Sequence, residues 1–233
     1  MIVALALAGL IAAASPVPTA KPTVLKEIGR GGNAAGVCGS LVVHANSAIS
    51  AALRDDTLVS RAIARLRGTD LENNLAARAT GIRELGLLGS DLYEESAHGD
   101  SELKRLRGLS DKSKDEGRKA EVRIFVEALG KAFAVHNRIA VDLNDFLAYL
   151  DYRDLRENPL SDAPRNGALD PFAKNPYARP TPTPSPSLFG RSGSPNKMAL
   201  AAASEFEGRI NRARSDESLA ADHSESAVSG CSS

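Results

Sequence analysis

The sequence predicts an all-α protein: an up-down bundle of three long antiparallel helices, with room for a short fourth at 101–109. A disordered Pro/Ser-rich carboxyl-terminal tail is expected to follow, and a four-helix bundle is the main alternative. Three observations lead there. Residues 23–158 contain no proline although the 233-residue chain holds 12, and proline inside a helix costs about 3 kcal/mol. Apolar residues in that stretch recur at steps of three and four, the period of one helix face. No segment alternates with the period of two that a half-buried strand requires. Hydrophobic residues make up 42% of the chain but aromatics only 4%, so small aliphatic side chains dominate and suit closely spaced helices.

The chain opens on an uninterrupted apolar run, Ile2 to Ala14. The run is too short for a ~30 Å hydrocarbon core, which takes about 20 helical residues. Its length matches the apolar region of a secretory signal, and Ala12-Ala13-Ala14 supplies small residues for cleavage. No Lys or Arg stands between Met1 and the run. Residues 1–14 are read as a signal peptide, so the mature chain is expected to be exported, periplasmic or extracellular, with no membrane span. Residues 15–36 are read as a flexible lead-in. Their Gly29-Arg30-Gly31-Gly32-Asn33 lacks the Lys-Ser/Thr end of a phosphate-binding loop, and no strand precedes it.

Residues 37–157 form the expected bundle. The first helix carries Val42, Ala45, Ile49, Ala52, Asp56, Val59, Ile63 and Leu66 on one face, Asp56 being the single polar member. Gly68 ends it, and Thr69-Asp70-Leu71-Glu72 reads as a capping box for the next. The second stripe is Leu71, Leu75, Arg78, Ile82, Leu85, Gly89 and Leu92. His98-Gly99-Asp100 marks a break or a shallow kink, with Leu103 and Leu106 continuing the register. Ser113-Lys114-Asp115-Glu116, a second capping box, opens the strongest helix: Val122, Phe125, Leu129, Ala132, His136, Ile139, Leu143, Phe146 and Leu150. Val126, Phe133, Ala140 and Leu147 widen that face, as in a globular core. Pro159 stops it, and the short connections make neighbouring helices antiparallel.

Residues 158–233 form the tail. Pro180 to Ser187 favours extended polyproline II. A short helix is allowed at 197–214, where Phe206 and Ile210 make a small apolar face for docking on the bundle or on a partner. The Ser-rich residues beyond it are expected to be disordered.

Three polar residues interrupt the stripes: Asp56, Arg78 and His136. Asp56 lies 12 residues before Gly68 and Arg78 lies 10 after it, a mismatch of about 3 Å along a helical hairpin. If the third helix starts level with the first, His136 stands about 6 Å from the height of Asp56. An unbroken second helix would carry Arg78 out of register and dissolve the triad. The layer reads first as a register-fixing device and second as a pocket for a small anion or a proton. In the structural reading, Asp56→Ala destabilises far more than Asp55→Ala.

Other function classes find little support. Lys+Arg and Asp+Glu both number 29, which argues against a nucleic-acid partner. Another protein, or a second copy meeting through a helix face, is the partner expected. Cys38 and Cys231 permit one disulfide in an exported chain without making a disulfide framework. His44 lies off its stripe, His98 in the expected break and His223 in the tail. No Cys/His zinc spacing and no Glu-x-x-His pair occurs, so no metal or cofactor is expected. Asp142, Asp145, Glu121 and Glu127 read as a solvated helix face. No nucleophile–base constellation stands out, and no catalytic residue is assigned. The function expected is that of an exported helical-bundle protein with a structural or protein-interaction role. The alternative is a small-ligand or pH-sensing bundle built on the Asp/Arg/His layer.

Overall fold

The computed structural model describes residues 23–29, 36–157 and 194–228. They form four helices: α1 (Val37–Gly68), α2 (Leu75–Ser110), α3 (Glu116–Glu157) and α4 (Pro195–Ala227). The all-α class and the bundle packing hold, but the fourth helix is not the one expected at 101–109. That stretch is the end of α2, which runs unbroken through His98-Gly99-Asp100. A Cβ added at Gly99 would clash with the tip of the Phe133 ring on α3. The glycine is therefore a site of close helix approach, not a helix end.

α4 is drawn from the region read as tail, and it is longer than the 197–214 segment. Ser194 precedes it in an extended conformation and Pro195 occupies its first turn, a position where proline lacks no needed donor. One face carries Ala199, Ala202, Ala203, Phe206, Ile210, Ala213, Glu217, Ala220, Ser224 and Ala227, all buried. The expectation of disorder beyond residue 214 is thus corrected as far as Val228. The small Ala and Ser side chains let this helix lie close to its neighbours, and dense packing replaces bulk. The segments expected to be a signal peptide and a polyproline stretch fall outside the described residues.

The helices run up, down, up, down. α1 packs on α2 and α4, α3 packs on the same two, and α1 faces α3 across the diagonal. The stripes of α1 and α3 are buried along their length except at Asp56. Part of the lead-in also docks: Leu25 and Ile28 are buried, and the Asn46 side chain accepts from Ile28 N at 2.7 Å and donates to Ile28 O at 3.0 Å. This corrects the flexible reading for residues 23–29.

The connections differ in detail from the two capping boxes. Asn74, not Thr69, caps α2, accepting from Ala77 N at 3.0 Å. Asp70 instead closes a turn on Glu72 N and Asn73 N and accepts from the Asn196 side chain at the start of α4. Those donors hold its carboxyl down at about 2. Asp115 rather than Ser113 caps α3, through Arg118 N at 3.1 Å.

The core has two apolar halves. One contains Leu41 to Ala52, Leu103, Leu106, Val122 to Phe133 and Ala213 to Val228. The other contains Val59 to Leu71, Leu85 to Leu92, Ile139 to Leu150 and Met198 to Ile210. On every helix the gap between the halves falls near the middle, and polar side chains fill it.

Candidate functional site

His136 sits in that gap on α3 with no solvent exposure. Its Nδ1 lies 3.3 Å from Asp55 Oδ2, and its Nε2 lies 3.4 Å from Asp56 Oδ1 and 3.8 Å from Glu217 Oε1. Ser96 on α2 donates to Asp55 Oδ2 at 2.7 Å, and Arg214 on α4 donates to Asp56 Oδ2 at 3.0 Å. All four helices therefore meet in one polar layer.

Two adjacent aspartates can both point inward because α1 has neighbours on two sides. Asp55 turns toward α2 and Asp56 toward α4, with the His136 ring between them. Asp55 is fully buried, whereas the Asp56 side chain keeps 19% of its exposure. The sequence stripe named Asp56 and missed Asp55, since a step of three or of four after Ala52 fits the helix period equally well.

Arg78 does not join the layer. Across the α1–α2 pair, Arg54 meets Glu95, Asp55 meets Ser96 and Arg65 meets Glu84. Ser96 is the partner at the height of Asp55, and Arg78 lies 18 residues earlier on α2, about 27 Å away along its axis. The hairpin symmetry assumed around Gly68 fails because residues 69–74 form a connection and Gly81, not a residue nearer Gly68, packs against Thr69. The cation in the layer comes instead from Arg214.

Burial sets the electrostatics. It disfavours an imidazolium at His136, but Asp55 and Asp56, followed by the charge of Glu217, outweigh it and push the group up to about 9. Burial also raises Asp55, against the opposing influence of the nearby His136 ring and of the Ser96 hydroxyl. At Asp56 burial acts upward too, yet His136 and Arg214 prevail and the carboxyl is lowered. Glu217 is pushed up to about 7 by burial and then by the charge of Asp56.

The layer is incompletely satisfied. Among the described residues no hydrogen-bond partner reaches Asp55 Oδ1, Asp56 Oδ1, either ring nitrogen of His136, or Glu217 Oε1. Asp56, His136 and Glu217 each offer one donor atom, and the three atoms lie within 4.8 Å of one another.

The remaining candidates sit elsewhere. His44 Nδ1 pairs with Glu102 Oε2 at 2.5 Å, His98 Nε2 with Ser47 Oγ at 3.1 Å and His223 Nδ1 with Glu121 Oε2 at 2.7 Å. Each spans two helices on the flanks of the bundle. Asp142, read as solvated, is fully buried and ion-paired with Arg209 and Arg138; Glu127 is exposed as expected. Cys38 is disulfide-bonded, while Cys231, the other cysteine of the sequence, lies outside the described residues. No helix among the described residues is long and apolar enough to cross a membrane. Comparison of the chain with protein-family models, curated proteins and solved structures finds no match.

Proposed function

We propose that this chain is an exported four-helix bundle whose role is carried by a small ligand held in the buried layer around His136. One observation carries the reading. His136 Nε2, Asp56 Oδ1 and Glu217 Oε1 face one another in the interior, and none has a hydrogen-bond partner among the described residues. A layer serving only to fix register satisfies its members among themselves, because buried polar atoms are nearly always paired. The purely structural or interaction role ranks behind it. Exposed apolar side chains such as Val43, Leu87, Val141 and Leu200 are distributed over all four helices, and single exposed apolar residues are ordinary. Export draws support from the Ile2–Ala14 run and from the disulfide at Cys38, a bond typical of oxidising compartments.

Native mass spectrometry of the full chain, purified without denaturation, tests the reading. The native mass is expected to exceed that of the denatured chain, with the excess missing from Glu217→Gln. Equal native and denatured masses, together with no thermal shift from metal ions, anions or small organic acids, would return the layer to a register-fixing role.

A further inference from the structure

The geometry points to a divalent transition-metal ion of the zinc class as the occupant, held by Asp56 Oδ1, His136 Nε2 and Glu217 Oε1. This inference rests on the ligand-holding reading and names its ligand. The donor set is one imidazole nitrogen and two carboxylate oxygens, a combination that suits zinc and its first-row neighbours. Three protein ligands leave a fourth position open for water or another small ligand.

The spacing matches the chemistry. Tetrahedral bonds of about 2.1 Å put neighbouring ligand atoms about 3.4 Å apart. The Nε2 to Asp56 Oδ1 distance is 3.4 Å and the Nε2 to Glu217 Oε1 distance is 3.8 Å. The three ligand atoms lie within 4.8 Å of one another, so the Glu217 side chain must move toward Asp56 and His136 to close the site to tetrahedral spacing. Calcium would ask for six to eight oxygens, whereas the converging set is two carboxylates and an imidazole nitrogen.

Charge argues in the same direction. With a neutral imidazole, Asp55, Asp56 and Glu217 stand against Arg214 alone, leaving a formal charge of −2. A divalent cation cancels that charge. An anion, the ligand first considered for the layer, would meet three carboxylates.

Asp55 completes the arrangement from behind. A metal-bound imidazole needs a partner for its second nitrogen, usually a carboxylate or carbonyl that fixes the tautomer. Asp55 Oδ2 lies 3.3 Å from Nδ1 and is itself held by Ser96. The aspartate that the sequence pattern passed over thus acts as a positioning residue. No ligand-spacing motif announces the site, because each ligand comes from a different helix: α1, α3 and α4.

The full, disulfide-intact chain is stripped with EDTA, desalted and titrated with ZnCl2 by calorimetry, with CoCl2 as a visible-absorption probe. One equivalent of Zn2+ is expected to bind and to raise the melting temperature. Co2+ is expected to show the intense visible bands of a four-coordinate site. Glu217→Gln should weaken binding by at least about 100-fold, and Asp55→Asn by about 10–100-fold. Glu102→Gln, beside His44, should leave binding unchanged. Absence of stoichiometric Zn2+ and Co2+ binding overturns the inference, as does undiminished affinity in a folded Glu217→Gln. If Glu217→Gln does not fold, undiminished affinity in Asp55→Asn overturns it instead. A retained organic mass without metal binding would overturn the metal alone and leave the ligand-holding reading standing; no retained mass and no metal binding would remove both.

Discussion

At the scale of single residues, burial and sequence pattern disagree over one pair of neighbours. Asp56 occupies the apolar stripe of α1 and invites attention, but Asp55 is the one excluded from water. Asp55 also supports two groups, accepting from Ser96 and facing His136 Nδ1. Removing a partner from a buried charge costs on the order of 3–5 kcal/mol. The order of effects expected from sequence therefore reverses: in chelator, Asp55→Ala should lose about 3 kcal/mol and Asp56→Ala distinctly less. Urea denaturation of the two variants checks this, and a larger loss at Asp56 would contradict the assigned burial. The stripe pointed to His136, which is fully buried. It could not distinguish two consecutive aspartates, because whether one or both face inward depends on how many helices surround α1.

At the scale of elements, glycine had two readings and packing chose between them. His98-Gly99-Asp100 resembles a helix end, and glycine does weaken helices by about 1 kcal/mol relative to alanine. In the bundle, Gly99 admits the Phe133 ring against the α2 backbone. Gly99→Ala should consequently destabilise the protein by about 1–3 kcal/mol through overpacking, despite the gain in intrinsic helix propensity. An alanine variant as stable as the parent in chemical denaturation would show that the ring moves aside freely. α4 poses the opposite problem. Half of its buried residues are alanine, with Phe206, Ile210 and Met198 as the larger apolar members, so its apolar periodicity is faint beside that of α3. Serine-rich composition then reads as disorder. A signal was present in Ser194-Pro195 and in the regular three-four spacing of Ala199 to Ala227. It needed a partner surface to become meaningful.

At the scale of the whole molecule, α4 closes the structure. It covers the faces of α1 and α3 that would otherwise meet solvent, and it brings Glu217 and Arg214 to the polar layer. A chain ending before residue 194 should lose Phe206, Ile210 and the alanine face together. Such a three-helix remainder is expected to keep helical circular dichroism but to melt at a lower temperature and with less cooperativity. Unchanged melting of the truncated chain would mean that α4 is accessory. The two apolar halves on either side of the layer explain why register matters here. Sliding one helix by a turn would bury His136 against aliphatic side chains and leave Asp55 opposite the wrong residue, each carrying the cost of an unpaired buried group.

The sequence by itself determined the class, the extents of the first and third helices, the antiparallel order of the first three and the place of His136 on the apolar face of its helix. These follow from local physics: proline exclusion, apolar period and short connections. Tertiary structure decided the rest. Which aspartate is buried, why Gly99 is tolerated, how Arg214 replaces Arg78 and why an alanine-rich tail folds all depend on surfaces contributed by other helices. An isolated stretch of sequence carries the apolar face that needs covering, but the identity of the covering helix is fixed by long-range packing.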